Sequence, residues 1–218
     1  KLGKKLGYKK ISVIEYGVAG GQGLMILEKH IKEIEKIFNI EIDIYGFDTG
    51  EGLPEPIDYR DLPYHWKKGF FKMKKNDLKS NLKKSKLVIG NINDTSESFF
   101  SKYNPAPIGA VIHDFDFYSS TKIALSMMCN NENFFLPRVF SYFDDTIGDE
   151  VSLYNDFTGE RLAINEFNNK NNDIKISVPY HLKALRTQIW HNQIWICHFF
   201  KHPKYNDFVS DENQQLNI

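Results

Sequence analysis

ISVIEYGVAGGQGL, residues 11–24, decides the fold. Ile11 to Tyr16 has the length and β-branched character of a strand. Leu24, Leu27, Ile31, Ile34 and Phe38 then recur every three or four residues, giving the following helix one apolar stripe. Between the two, Gly17, Gly20, Gly21 and Gly23 let the backbone turn sharply and come close to a ligand, where the helix start offers unpaired N–H groups. Ala19 stands where the second glycine of G-x-G-x-x-G belongs, and no G-K-[ST] follows, so neither the dinucleotide fingerprint nor a P-loop is present. A tight strand-to-helix turn without a ligand is the plain alternative.

Working outward, strand-like runs recur at Ile42–Phe47, Lys86–Ile89, Ile108–His113, Val139–Phe143, Ile174–Val178 and Ile194–Phe200, with helical patterns at Ser119–Cys129 and Glu160–Phe167. Strands alternating with helices predict an α/β fold, a doubly wound, seven-stranded, mostly parallel sheet reached through right-handed crossovers. Residues 179–193 show no helical period, so the last two strands are expected as an antiparallel pair at the sheet edge. Residues 1–205 read as one domain and 206–218 as a polar, fraying tail.

The composition sets limits on partners. Lys+Arg and Asp+Glu both number 28, so no overall field favours nucleic acid or an anionic membrane. Cys129 and Cys197 are too few for a disulfide framework or a zinc site, which favours a reducing, cytoplasmic setting. No apolar run approaches the roughly 18 residues of a membrane span. The apolar pair Phe134–Phe135 is a candidate interface for a homo-oligomer. Nine of the twenty residues 67–86 are lysine, which reads as a solvated face or as a field steering an anionic acceptor.

Three features carry chemistry. Asp48, in YGFDT at the end of the second strand, is placed to accept hydrogen bonds from both hydroxyls of a ribose, and with the glycine turn it suits an adenosine ligand. HDFD (113–116) ends the fourth strand and Asp144-Asp145 the fifth, so these carboxylates meet near the switch in strand order. Their repulsion is relieved by a hard divalent cation, magnesium by default, or else they serve only as caps and strand ends. The connection from Asp48 to Lys75 is far longer than the usual loop and holds Tyr59, Tyr64, His65 and Trp66, suited to covering an acceptor or to forming a local mini-core. His113 precedes Asp114 on a strand and so points to the opposite face.

The chain resembles the macrocin O-methyltransferase family, metal-dependent enzymes that use S-adenosylmethionine (AdoMet) to methylate sugar hydroxyls of natural products. The likeness runs from about Ile11 to Gly148 through EYGVAGG (15–21), GFDTGEGLP (46–54), VIGNINDT (88–95), DFDFYSST (114–121) and YFDD (142–145). It implies a Rossmann-like class I methyltransferase. In it Gly17, Gly20 and Gly21 approach the AdoMet methionine and ribose, Asp48 holds the ribose, Gly90, Asn91 and Asn93 border the adenine, and Glu15 fixes the turn. The implied metal ligands are Asp114, Asp144 and Asp145, with Asp116 an alternative to Asp114, which would also touch the cofactor. Asp114 and His65 are the catalytic candidates, acting on a small-molecule acceptor. The family's aromatic residue after D-[TS] is Gly50 here, which removes a side chain beside the cofactor and loosens the loop. Two other readings remain open, an AdoMet-binding protein without turnover and a nucleotide-binding oxidoreductase on a similar sheet.

Overall fold

The structure, a computed structural model, describes residues 1–185 and 188–210. Seven strands, β1 (Lys10–Tyr16), β2 (Glu41–Asp48), β3 (Lys86–Ile89), β4 (Ile108–His113), β5 (Phe135–Phe143), β6 (Ile174–Ser177) and β7 (Ile194–Phe199), form one sheet in the order β3-β2-β1-β4-β5-β7-β6. The pairs β3–β2, β2–β1, β1–β4 and β4–β5 are parallel, and β7 lies antiparallel between β5 and β6. The antiparallel strand is therefore one place inside the edge, and β6 itself forms the margin. The order reverses between β1 and β4, which opens a crevice at their carboxyl ends.

Alternation along the strands divides the core into two layers. Ile14, Tyr16, Tyr45 and Phe47 face one side and pack with α4 (Ile92–Tyr103), α5 (Tyr118–Asn130) and α6 (Gly159–Lys170) through Phe99, Phe100, Met127, Met128, Ile164 and Phe167. Val13, Ile42 and Ile44 face the other and meet α2 (Gln22–Phe38) and α3 (Lys75–Asn81) through Leu24, Ile31 and Leu78, and a four-residue helix, α1 (Leu2–Lys5), precedes β1. Each such side chain contributes about 1.5–3 kcal/mol when fully buried, so these layers, not helix propensity, hold the helices in place. His113 belongs to the first layer. Its ring is fully buried and stacks on Phe143 with centroids 4.1 Å apart, as strand alternation requires.

Two expectations change. Residues 179–193 contain a short helix, α7 (Tyr180–Leu185), where six residues are too few to establish a period. The pair Phe134–Phe135 packs inward rather than presenting a free apolar face. Phe135 is 1% exposed and stacks on Phe199, while Phe134 packs on Phe100. Of the polar tail, residues 211–218 lie outside the described residues. Among the described residues no helix is long and apolar enough to cross a membrane.

Candidate functional site

The glycine turn is a junction of three strands. Gly17 has φ 79°, and its N–H donates to the Phe47 carbonyl oxygen at 3.0 Å. A Cβ there would lie 1.7 Å from the Asp114 carbonyl oxygen, so only glycine lets β1 and β4 close at this end. Asp48 clamps the same turn. Its Oδ2 accepts the N–H groups of Val18 (3.0 Å) and Ala19 (2.8 Å), and its Oδ1 accepts that of Gly50. Glu15 lies against the helix start, where a Cβ on Gly23 would be 2.5 Å from its Oε1. Burial pushes its carboxyl up to about 7, against the opposing pull of the Leu24 N–H.

A cavity of about 490 Å³, within the range of small-molecule sites, opens beside this turn. Among the expected cofactor residues it is lined by Gly17, Asp48, Gly90, Asn91 and Asp114. Glu15, Gly20, Gly21 and Asn93 do not line it. Gly20 is exposed with nothing near it, and Gly21 faces Leu78 of α3. Asn93 is exposed on the first turn of α4, where its backbone and side-chain N–H groups donate to the capping Asn91 Oδ1. The space left by Gly50 is crossed by the Lys75 side chain, whose Cε lies 2.0 Å from where a Cβ would be, and Lys75 pairs with Glu51 at 2.7 Å. The loop is thereby packed at this point, contrary to the expectation of a looser one.

The carboxylates converge on the cavity floor. One oxygen each from Asp114, Asp116 and Asp145 falls within 4.8 Å of the others. Asp145 is the hub of this group. Its Oδ2 accepts the Asp116 N–H (2.9 Å), its Oδ1 accepts the Tyr154 hydroxyl (2.6 Å), and its own N–H donates to Glu160 Oε2 (3.0 Å). Asp144 lines the same cavity outside the cluster, its Oδ1 accepting the Tyr142 hydroxyl (2.8 Å) and the Gln193 amide (3.2 Å). Burial, followed by the charge of Asp145, raises Asp114 to about 8. The same two causes raise Asp116, and burial raises Asp145 against the Tyr154 hydroxyl bond. Glu160 is fully buried, which raises it strongly, and its Oε1 has no partner. Asp116 holds φ 62°, a left-handed value uncommon for residues with a side chain, although aspartate adopts it more readily than most.

The opposite wall is aromatic. His65 packs edge-on to Trp66 (4.2 Å between centroids) and faces Tyr154 at 6.3 Å, and Phe71 and Leu53 complete the side. No lysine or arginine lines the cavity among the described residues, whereas six aspartates do. The lysines of 67–86 are exposed apart from half-buried Lys75, and Lys68, Lys75 and Lys84 pair with Glu55, Glu51 and Glu35. They form a solvated face. Tyr154, Gln193 and Glu160 escaped the sequence reading because each reaches the site from a segment whose spacing carries no signal.

No protein-family model matches the sequence, and no curated protein does. Solved structures do match in fold. CalS11, a calicheamicin methyltransferase, superposes with a TM-score of 0.61 at 17% identity, over 86% of this chain and 72% of that one. An apo structure of CalS11, there described as a TDP-rhamnose 3'-O-methyltransferase, gives 0.53 at 15% identity over 91% and 76%. The O-methyltransferase NovP gives 0.52 at 15% identity, over 73% of this chain and 63% of that one. At such identities it is the fold that is shared, a seven-stranded sheet of the kind these methyltransferases use.

Proposed function

We propose that the chain is an AdoMet-dependent O-methyltransferase that binds a divalent cation and acts on a hydroxyl of a small, sugar-like or natural-product acceptor. The observation that carries this reading is the continuity of one cavity from the glycine turn and Asp48 to the cluster of Asp114, Asp116 and Asp145. The donor set suits a hard cation such as Mg2+. Carboxylate oxygens within 4.8 Å of one another repel, and such an ion would relieve that repulsion. The proposed ligands are Asp114 and Asp145 of this cluster together with Asp144, which lines the same cavity outside it, and Asp116 is left to face the acceptor. When bound, the cation would polarise the acceptor hydroxyl.

The chain's own residues supply the rest. Gly17, Asp48, Gly90 and Asn91 hold the donor against the ends of β1 to β3, and Asp114 separates it from the acceptor. His65, Trp66 and Tyr154 form the wall against which the acceptor lies, orienting its oxygen toward the methyl group, a positioning effect that can remove several kcal/mol of the barrier. Asp116, buried at the cavity floor, is the proposed base, taking the acceptor proton in its ionised form, which a cation held by its neighbours would favour against the effect of burial. Six aspartates line the cavity and no lysine or arginine does among the described residues, which favours a neutral acceptor over an anionic one.

Calorimetry with S-adenosylhomocysteine and Mn2+ tests this. Both should bind the wild type. Asp144→Ala should lose Mn2+ and keep S-adenosylhomocysteine, and Asp116→Asn should keep both while losing turnover. Undiminished Mn2+ affinity in Asp144→Ala would remove Asp144 from the ligand set, and failure of the wild type to bind S-adenosylhomocysteine would end the reading.

A further inference from the structure

We propose that Asp61, which does not touch the cavity, is a positioning residue that fixes the acidic turn at 114–116 and the His65–Trp66 wall relative to one another. What the cavity holds rests on the methyltransferase reading above, while the geometry stands apart from it. Asp61 lies in the long connection after β2 and is 1% exposed. Its Oδ1 accepts the Ser119 N–H at 2.9 Å, and its Oδ2 accepts the Ser119 hydroxyl at 2.9 Å and the Ile57 N–H at 3.0 Å. Helix α5 receives no side-chain cap from its own N-cap residue, Phe117. A carboxylate 58 positions away in sequence therefore does that work, at the positive end of the helix dipole.

Two structural consequences meet at this residue. Helix α5 begins two residues after Asp116, and the left-handed turn there is tied on both sides. On one side the Asp116 N–H is bound to Asp145, and on the other the first turn of α5 is bound to Asp61. Along the loop, Leu62 follows Asp61 at φ 56° and is fully buried, and its carbonyl oxygen accepts the N–H groups of both His65 and Trp66 at 2.9 Å. Arg60, on the other flank, sets its guanidinium 4.6 Å over the Tyr118 ring and donates to the Tyr118 hydroxyl at 3.2 Å. Arg60, Asp61 and Leu62 thus join the start of α5 to the aromatic wall, and none of them lines the cavity.

Asp61→Asn keeps the shape but replaces one acceptor oxygen with a donor, and Ser119→Ala removes the hydroxyl bond alone. The measurements are amide hydrogen exchange over 62–66 and 117–121, and calorimetric affinities for Mn2+ and S-adenosylhomocysteine. In Asp61→Asn exchange should rise in both segments, and Mn2+ affinity should fall about tenfold, the usual effect of losing a group that orients metal ligands. S-adenosylhomocysteine affinity should hold within about twofold, since no bond links Asp61 to Gly17 or Asp48. Ser119→Ala should show the same pattern more weakly, and it carries the comparison if Asp61→Asn does not fold. Exchange rising only in 117–121, or not at all, overturns the proposal, as does an equal loss of both affinities. If the wild type binds neither probe, the methyltransferase reading fails, and the exchange pattern still decides for or against Asp61.

Discussion

A methyl group on residue 17 would stand 1.7 Å from the Asp114 carbonyl oxygen at a φ of 79°, so Gly17→Ala must part β1 from β4 or abandon the turn. Gly20, three positions on, has nothing within 4 Å of a Cβ. We expect urea unfolding to show a loss of about 3 kcal/mol for Gly17→Ala and less than about 0.5 kcal/mol for Gly20→Ala, and similar losses at the two sites would show that the junction is not rigid. Glu15 makes a pH-dependent contrast. Its folded pKa of about 7 lies above the ordinary 4.5, so the folded state holds the proton more tightly and stability falls as pH rises between those values. Glu15→Gln does not titrate. Its stability relative to wild type should therefore rise from pH 4.5 to pH 7.5 by about 2 kcal/mol, a shift of this size being reduced by the nearby helix start. A flat difference across that window would place the carboxylate in a more solvated setting than its burial indicates.

At the scale of elements, the strands and the helices α2, α5 and α6 were legible in the sequence, while the short helices and α4, whose buried Ile92, Phe99 and Phe100 are set among polar residues, were not. The stripe from Leu24 to Phe38 maps onto α2, because seventeen residues repeat the same face several times. Helix α3 is seven residues long and cannot hold itself in water, so its place depends on Leu78, which packs over Gly21, and on Lys75, which crosses Gly50. Leu78→Ala should cost about 2–4 kcal/mol, felt first as faster amide exchange over 75–81 and in the turn at 17–21, with a several-fold loss of S-adenosylhomocysteine affinity. Exchange in α3 no faster than in β1 would mean that the helix unfolds only with the whole domain.

For the whole molecule, the cavity at the strand-order switch is the place where a ligand couples to global stability. S-adenosylhomocysteine at one hundred times its dissociation constant should add about 2.7 kcal/mol, raising the melting temperature by about 5–10 °C for a chain of this size. NAD should give no shift, since Ala19 interrupts the dinucleotide spacing. A shift with NAD and none with S-adenosylhomocysteine would favour the oxidoreductase reading. The balanced charge of 28 basic and 28 acidic residues hides a segregation that the fold creates, with lysines outside and aspartates within the cavity.

The sequence by itself determined the α/β alternation, the sharp turn after Glu15 and the placing of Asp48, Asp114 and the Asp144-Asp145 pair at strand ends. These are matters of local periodicity and backbone conformation, which neighbouring residues dictate. Only the tertiary structure decided that β7 inserts between β5 and β6, that Asp116 joins Asp114 and Asp145 while Asp144 turns to Tyr142 and Gln193, and that Asp61 caps a helix from a distant loop. Most of these contacts, such as Asp116 to Asp145, Gln193 to Asp144 and Asp61 to Ser119, join residues tens of positions apart. Their energy comes from burying and pairing polar groups that no local spacing brings together.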